Sequence, residues 1–247
     1  MRLVIALLLL LSPALARAQP ATVSVLVYHR FSPTGSTGAT TVSTPVFAAQ
    51  MERIAELHIP VVPLRALLAG TGLPPHAIAI TADDGHRSVF TEMFPILQRH
   101  GFPVTLFLNP PGLGHGSYLR WEEIATMRAS GLIDCEPHTL SHPNFNDERA
   151  RRTPEAYAAF VRHELEGGRA ELRQRVGGAQ DMLAWPFGIH DPALDAAAAE
   201  AGYVAAFALG GRVAVADGPP FGIPRYQVYE ADQGARLDAV LRGVPRR

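Results

Sequence analysis

Short apolar runs rich in β-branched residues alternate with helix-period segments along most of the chain, and few folds accept that order. Val23, Val25 and Val27 open the series in a strand that ends at Tyr28-His29. Residues 61–62 and 77–81 read as short buried strands, followed by a helix over about 88–99 and a strand over 104–108. A helix at 122–129, a strand at 132–135 and a long helical stretch at 154–176 come next. A strand around 182–185, a helix at 193–201 and strands at 203–208 and 223–228 complete it. Strands alternating with helices imply an α/β fold with a mostly parallel sheet, open or closed into a barrel. Between the first strand and first helix, residues 32–43 are rich in Ser, Thr and Gly and read as a surface loop. Thr44 is the expected N-cap, with Pro45 at the first helical position. Gly167-Gly168 is expected to weaken the long helix or split it in two.

Residues 1–18 fall outside this series. Met1-Arg2, an apolar run from Leu3 to Leu11, and Ala16-Arg17-Ala18 have the three-part form of a secretory signal peptide, with cleavage expected after Ala18 or, second, Ala16. The run is short for an uncleaved membrane anchor. Residues 19–247 are therefore expected to form one exported domain, periplasmic or secreted, with no stable membrane anchor. A formal charge of −1 gives no sign of a nucleic-acid partner. The single cysteine, Cys135, excludes an intramolecular disulfide and, in a buried strand, reads as core packing before metal ligation. No sequence feature sets an oligomeric state.

The chemistry is concentrated at two strand ends. The strand at 77–81 delivers Asp83 and Asp84, and the strand at 132–135 leads into His138-Thr139-Leu140-Ser141-His142. Adjacent carboxylates resist being ionised together, and a divalent cation on one of them removes the conflict and leaves the other free as a base. Two histidines four residues apart can reach one ion. With one aspartate they make the three-ligand, open-position shell of a catalytic zinc site. Ligands also bind beyond strand C-termini in folds of this class.

Thr81-Ala82-Asp83-Asp84-Gly85 resembles the T-F-D-D-G motif of the polysaccharide deacetylases of carbohydrate esterase family 4, the NodB-homology domain, and His138-Thr139-Leu140-Ser141-His142-Pro143 matches its H-[ST]-x-x-H motif. The stretches Phe94-Pro95-Ile96-Leu97, Gly101-Phe102-Pro103-Val104, Trp121-Glu122-Glu123-Ile124 and Trp185-Pro186-Phe187-Gly188 follow the family pattern in order. The resemblance implies a distorted (β/α) barrel of about seven parallel strands. It makes Asp83 the general base and Asp84, His138 and His142 the ligands of one divalent metal ion, zinc first, with cobalt or nickel as alternatives.

Four departures qualify the match. Ala82 stands in place of phenylalanine. Glu136-Pro137 replaces the usual Gly-Ser and is expected to bring another carboxylate close to the metal. Ala184 stands where classical members carry an arginine that orients the catalytic aspartate, and Arg225 is the candidate to supply that charge. The C-terminal leucine-histidine motif is missing, since no histidine follows His190. This pattern is similar to the poly-N-acetylglucosamine deacetylase branch, in which a Tyr-His at the end of the first strand offers the imidazole. Here that pair is Tyr28-His29, with His29 the candidate catalytic acid, packing beside Tyr28 its alternative role, and His190 the fallback acid. Trp185 is a candidate substrate-binding residue. The function implied is N-deacetylation of an N-acetylglucosamine-containing polysaccharide. The alternatives are an O-acetyl polysaccharide esterase and a degenerate member that binds sugar or metal without turnover.

Overall fold

The computed structural model describes residues 20–35, 38–70 and 72–246, so the expected signal segment lies outside the described residues. The central strands are β1 (Thr22–Tyr28), β4 (His76–Asp83), β5 (Val104–Leu108) and β6 (Ile133–Pro137), after the short β2 (Arg30–Ser32) and β3 (Thr41–Ser43). They are followed by β7 (Met182–Ala184), β8 (Ala205–Phe207), β9 (Ala214–Val215) and β10 (Tyr226–Gln227). The main helices are α1 (Thr44–Glu56), α2 (Phe94–His100), α3 (Trp121–Ala129), α4 (Phe145–Ala150), α5 (Pro154–Val176), α6 (Pro192–Glu200) and α7 (Gly234–Leu241).

Parallel strands run in the order β10-β1-β4-β5-β6, with β9 antiparallel against the start of β1. A parallel pair β7-β8 continues the surface through a single bridge, Phe207 to Ile223, which leads into β10. Seven parallel strands thus run from β7 round to β6. Among the described residues no backbone ladder joins β6 to β7, so the expected barrel has one seam. Side chains cross it instead. Met182 N–H donates to Glu136 Oε2 at 3.0 Å, and Gln180 Nε2 donates to the Cys135 carbonyl at 3.4 Å.

Strand residues alternate between two apolar layers, as a two-residue period requires. Val23, Val25, Ala77, Ala79, Phe107 and Phe207 fill the barrel interior. On the outer face Leu26, Ile78, Ile80 and Leu106 pack with residues of α1, α2, α3 and α7. Leu183 and Trp185 pack outward too, with Leu165 of α5 and Leu194 of α6. Both faces being covered explains the nearly unbroken burial of β1, β4 and β5.

Several local expectations are corrected. Residues 61–62 make only a bridge to Ile78. The ends of the 32–43 loop pair as β2 and β3. The N-cap of α1 is Ser43, not Thr44, and its side chain is used elsewhere: its hydroxyl and N–H both donate to Glu230, at 2.7 and 2.6 Å, while Thr44 Oγ1 donates to Glu92. The helix expected from residue 88 begins as a π-helical turn, Val89–Met93, before α2, where Pro95 has no N–H for the ordinary ladder. α5 is one continuous helix through Gly167-Gly168. His76 bridges Thr22 Oγ1 at 2.9 Å and the Leu241 carbonyl at 2.7 Å, tying the end of α7 to β1.

Candidate metal centre and catalytic pair

Neighbouring residues in a strand point to opposite faces, so adjacent aspartates share a site only where the strand breaks. Asp83 lies on the interior register of β4 with Ala77, Ala79 and Thr81. Immediately after it Asp84 (φ 69°) and Gly85 (φ 72°) enter the left-handed region. That turn brings Asp84 back to the barrel mouth beside Asp83. A side chain at Gly85 would also meet Leu108 and Leu113 at 2.8 and 2.9 Å.

Asp83 is 2 % exposed and bidentate to Arg225, itself 1 % exposed: Nη1 to Oδ1 is 2.8 Å and Nη2 to Oδ2 is 2.7 Å. Arg225 also donates to Thr81 Oγ1 and to the Ala208 carbonyl. Burial alone would raise the Asp83 pKa, but Arg225, with smaller help from His138 and His29, holds it down at about 2. The carboxylate is ionised at any ordinary pH. The charge absent at Ala184 thus arrives from the segment leading into β10.

Asp84 faces the two histidines. Its Oδ1 lies 3.6 Å from His138 Nε2 and 3.4 Å from His142 Nε2. Those distances exceed charge-assisted hydrogen bonds, which run to about 2.9 Å. Asp84 Oδ1 is buried with no hydrogen-bond partner among the described residues. The separations match the edge of about 3.4 Å expected of a tetrahedral shell with bonds near about 2.1 Å. His138 Nδ1 donates to the Ala184 carbonyl at 2.7 Å, which sets the tautomer and leaves Nε2 with its lone pair towards Asp84. Burial pushes His138 below its ordinary value, so the ring is neutral, as a ligand must be. Two nitrogens and one orphaned carboxylate oxygen, all within 4.8 Å of one another, fit a single divalent ion.

Asp83, Asp84, His138, His142 and Arg225 open onto one cavity of about 670 Å³, and His29 lines it as well. His190 does not line it: its Nδ1 lies 3.1 Å from Asp195 of α6. Trp185 borders the cavity but is fully buried, its ring edge-on to Phe145 at 5.5 Å. The aromatic face open at the rim belongs to Phe187, 59 % exposed and 4.8 Å from the His142 ring. Sequence reasoning passed over Phe187, whose only signal is its place in the Trp-Pro-Phe-Gly element. Glu136 corrects an expectation outright. It does not line this cavity; it takes Arg65 Nη2 at 2.6 Å and the Met182 N–H at the seam, where burial pushes its carboxyl up to about 8. Cys135 is buried core, its thiol pushed up to about 12 by burial, and stands apart from the cluster of possible ligands.

The fold and site together define a barrel-type α/β protein whose mouth carries a two-histidine, one-aspartate cluster able to hold a metal ion, beside an arginine-held carboxylate. The chain belongs to the polysaccharide deacetylase family, whose family model matches residues 71–206, more than half of its length. IcaB from Ammonifex degensii is similar in structure, with a TM-score of 0.79 at 25% identity, covering 91% of this chain and 99% of that one. The Streptococcus pyogenes deacetylase PplD, solved in complex with acetate, shares the fold at 18% identity, TM-score 0.76, with 90% and 99% covered. In sequence, a poly-β-1,6-N-acetyl-D-glucosamine N-deacetylase of Staphylococcus aureus is 22% identical over 121 residues, which are 47% of this chain and 42% of that protein. The chain spans less than half the length of the curated relatives it matches.

Proposed function

We propose that this protein is an exported, metal-dependent deacetylase that hydrolyses N-acetyl groups of an N-acetylglucosamine-containing polysaccharide. One observation carries the reading: an orphaned Asp84 oxygen and two imidazole nitrogens share a cavity with a second carboxylate that is buried and held ionised by Arg225. The choice of polymer follows the Staphylococcus aureus relative. Zinc is the first choice for a mixed nitrogen and oxygen shell, and cobalt or nickel would suit the same ligands.

Asp84, His138 and His142 would hold the ion, which when bound supplies Lewis acidity towards an acetamide carbonyl and a water molecule. Asp83 accepts the proton of the attacking water, and Arg225 keeps that carboxylate oriented. The carbon–nitrogen bond then breaks, and the departing amine takes a proton from His29. The products are acetate and a free amino sugar. His29→Ala is expected to lower kcat by about 10²- to 10⁴-fold, leave metal content unchanged and remove one limb of the pH–rate profile. His190 does not line the cavity, so His190→Ala should keep near-normal kcat. A normal kcat in the His29 variant would remove it from the mechanism.

Acetate release from chitooligosaccharides, compared with an acetylated xylan, tests the activity. Release from the xylan alone would replace this reading by the O-acetyl esterase. Metal binding without release from either would favour the degenerate member. Export rests on residues 1–18 and predicts a mature terminus at Gln19 in protein recovered outside the cytoplasm, read by mass spectrometry. An intact Met1 on membrane-bound protein would count against it. Among the described residues no helix is long and apolar enough to cross a membrane.

A further inference from the structure

Helix α5 contributes nothing to the candidate metal shell, yet it grips the loop that carries two of its three ligands. Glu164, 2 % exposed, accepts through Oε2 from the backbone N–H groups of Leu140 (3.1 Å) and Ser141 (2.7 Å), and through Oε1 from the Ser141 hydroxyl (2.7 Å). Two backbone N–H groups and a hydroxyl converge on this one side chain, whose two oxygens accept from all three. The helix comes this near because of Gly168. A Cβ there would lie 2.6 Å from both the carbonyl carbon and oxygen of Thr139, backbone atoms that cannot step aside. Gly167 differs, since its Cβ would meet only the end of the Leu140 side chain, at 3.0 Å. The glycine pair that sequence reasoning took for a helix breaker is the contact surface of the grip.

The gripped loop is strained. Thr139 and His142 both adopt left-handed backbone, at φ 63° and 57°, and His142 N–H donates to Thr139 Oγ1 at 3.2 Å. Non-glycine residues persist there when their surroundings hold them. The direct hold on residues 140 and 141, between the two left-handed positions, is Glu164.

We propose that Glu164 is a positioning residue for the metal centre: by pinning residues 140 and 141 from α5, it fixes His142 Nε2 relative to Asp84 Oδ1 and His138 Nε2. This rests on the reading of those three residues as ligands. Metal affinity and coordination geometry then depend on a helix that offers no ligand.

The test is titration of metal-depleted full-length protein with Co(II), reading affinity and the visible absorption band, beside the melting temperature without metal. Glu164→Gln replaces the carboxylate by a neutral amide, with one acceptor oxygen for the two backbone N–H groups and an NH2 group facing the Ser141 hydroxyl. It is expected to weaken Co(II) binding about ten- to a hundredfold and to alter the band. Gly168→Ala should act in the same direction, although alanine is the better helix former. Gly167→Ala should stay within about twofold of the parent, because it displaces only a flexible side chain. Parent-like affinity and band in both Glu164→Gln and Gly168→Ala would overturn the proposal, whatever happens to melting. If Glu164→Gln does not fold, Gly168→Ala against Gly167→Ala decides alone, and equal affinities overturn it. A parent protein that binds no Co(II) sinks the metal reading instead, which keeps the two failures apart.

Discussion

Arg225→Met is expected to lower stability by about 3–5 kcal/mol at pH 7, because it leaves the buried Asp83 carboxylate without its counter-charge. Two opposing influences act on Asp83, burial raising its pKa and Arg225 lowering it, and in the parent the arginine wins, holding it at about 2. A depressed pKa of this kind contributes stability above the unfolded value of 3.8, and that contribution is lost as pH falls from about 4 through about 2. In the variant burial is opposed only by the smaller influence of His138 and His29, and the Asp83 pKa rises. Protonation then relieves the variant as pH falls, while the parent loses its advantage. The gap between the two proteins should therefore be widest at neutral pH and close on acidification. Urea unfolding at pH 7, 5 and 3 measures it; equal stability at pH 7 would show that the ion pair is dispensable. Activity carries a second signature. The acid limb of the pH–rate profile should move to higher pH, since that limb marks loss of the ionised base.

The adjacent aspartates should separate cleanly in metal content and turnover. Asp84→Ala, His138→Ala and His142→Ala each remove one member of the three-donor cluster, and each is expected to abolish tight metal binding. Asp83→Asn keeps all three donors and removes the proton acceptor, so metal stays while turnover falls by about 10²- to 10⁴-fold. Metal analysis after gel filtration, beside acetate release, distinguishes the two classes. Parent-like metal content in all three ligand variants would sink the assignment, as would loss of metal in Asp83→Asn. One qualification follows from the ion pair. Asparagine cannot accept both Arg225 donors, so some loss of stability accompanies Asp83→Asn, and the comparison belongs at a temperature where every variant is folded.

The residues themselves revealed the order of strands and helices and the positions that carry the chemistry. Strand periodicity put Asp83 and His138 at strand ends, and the spacing of His138 and His142 with an Asp-Asp pair indicated a metal. These features are local, so a linear reading reaches them. Tertiary structure decided where distant side chains point. Arg225 meets Asp83 from 142 positions away. Glu136 sits two residues before the candidate ligand His138 and turns to the seam instead, where among the described residues no ladder joins β6 to β7 and its carboxylate takes the Met182 N–H. Trp185 packs outward while Phe187 takes the rim, because β7 ends at Ala184 and Phe187 enters the left-handed region at φ 57°. The Gly167-Gly168 pair shows the limit most plainly. Helix propensity counts those glycines as a weakness, and the chain alone cannot reveal that Thr139 backbone lies against one of them. Propensity and spacing are properties of neighbours in sequence, whereas close approach, charge pairing and strain belong to groups that become neighbours only on folding.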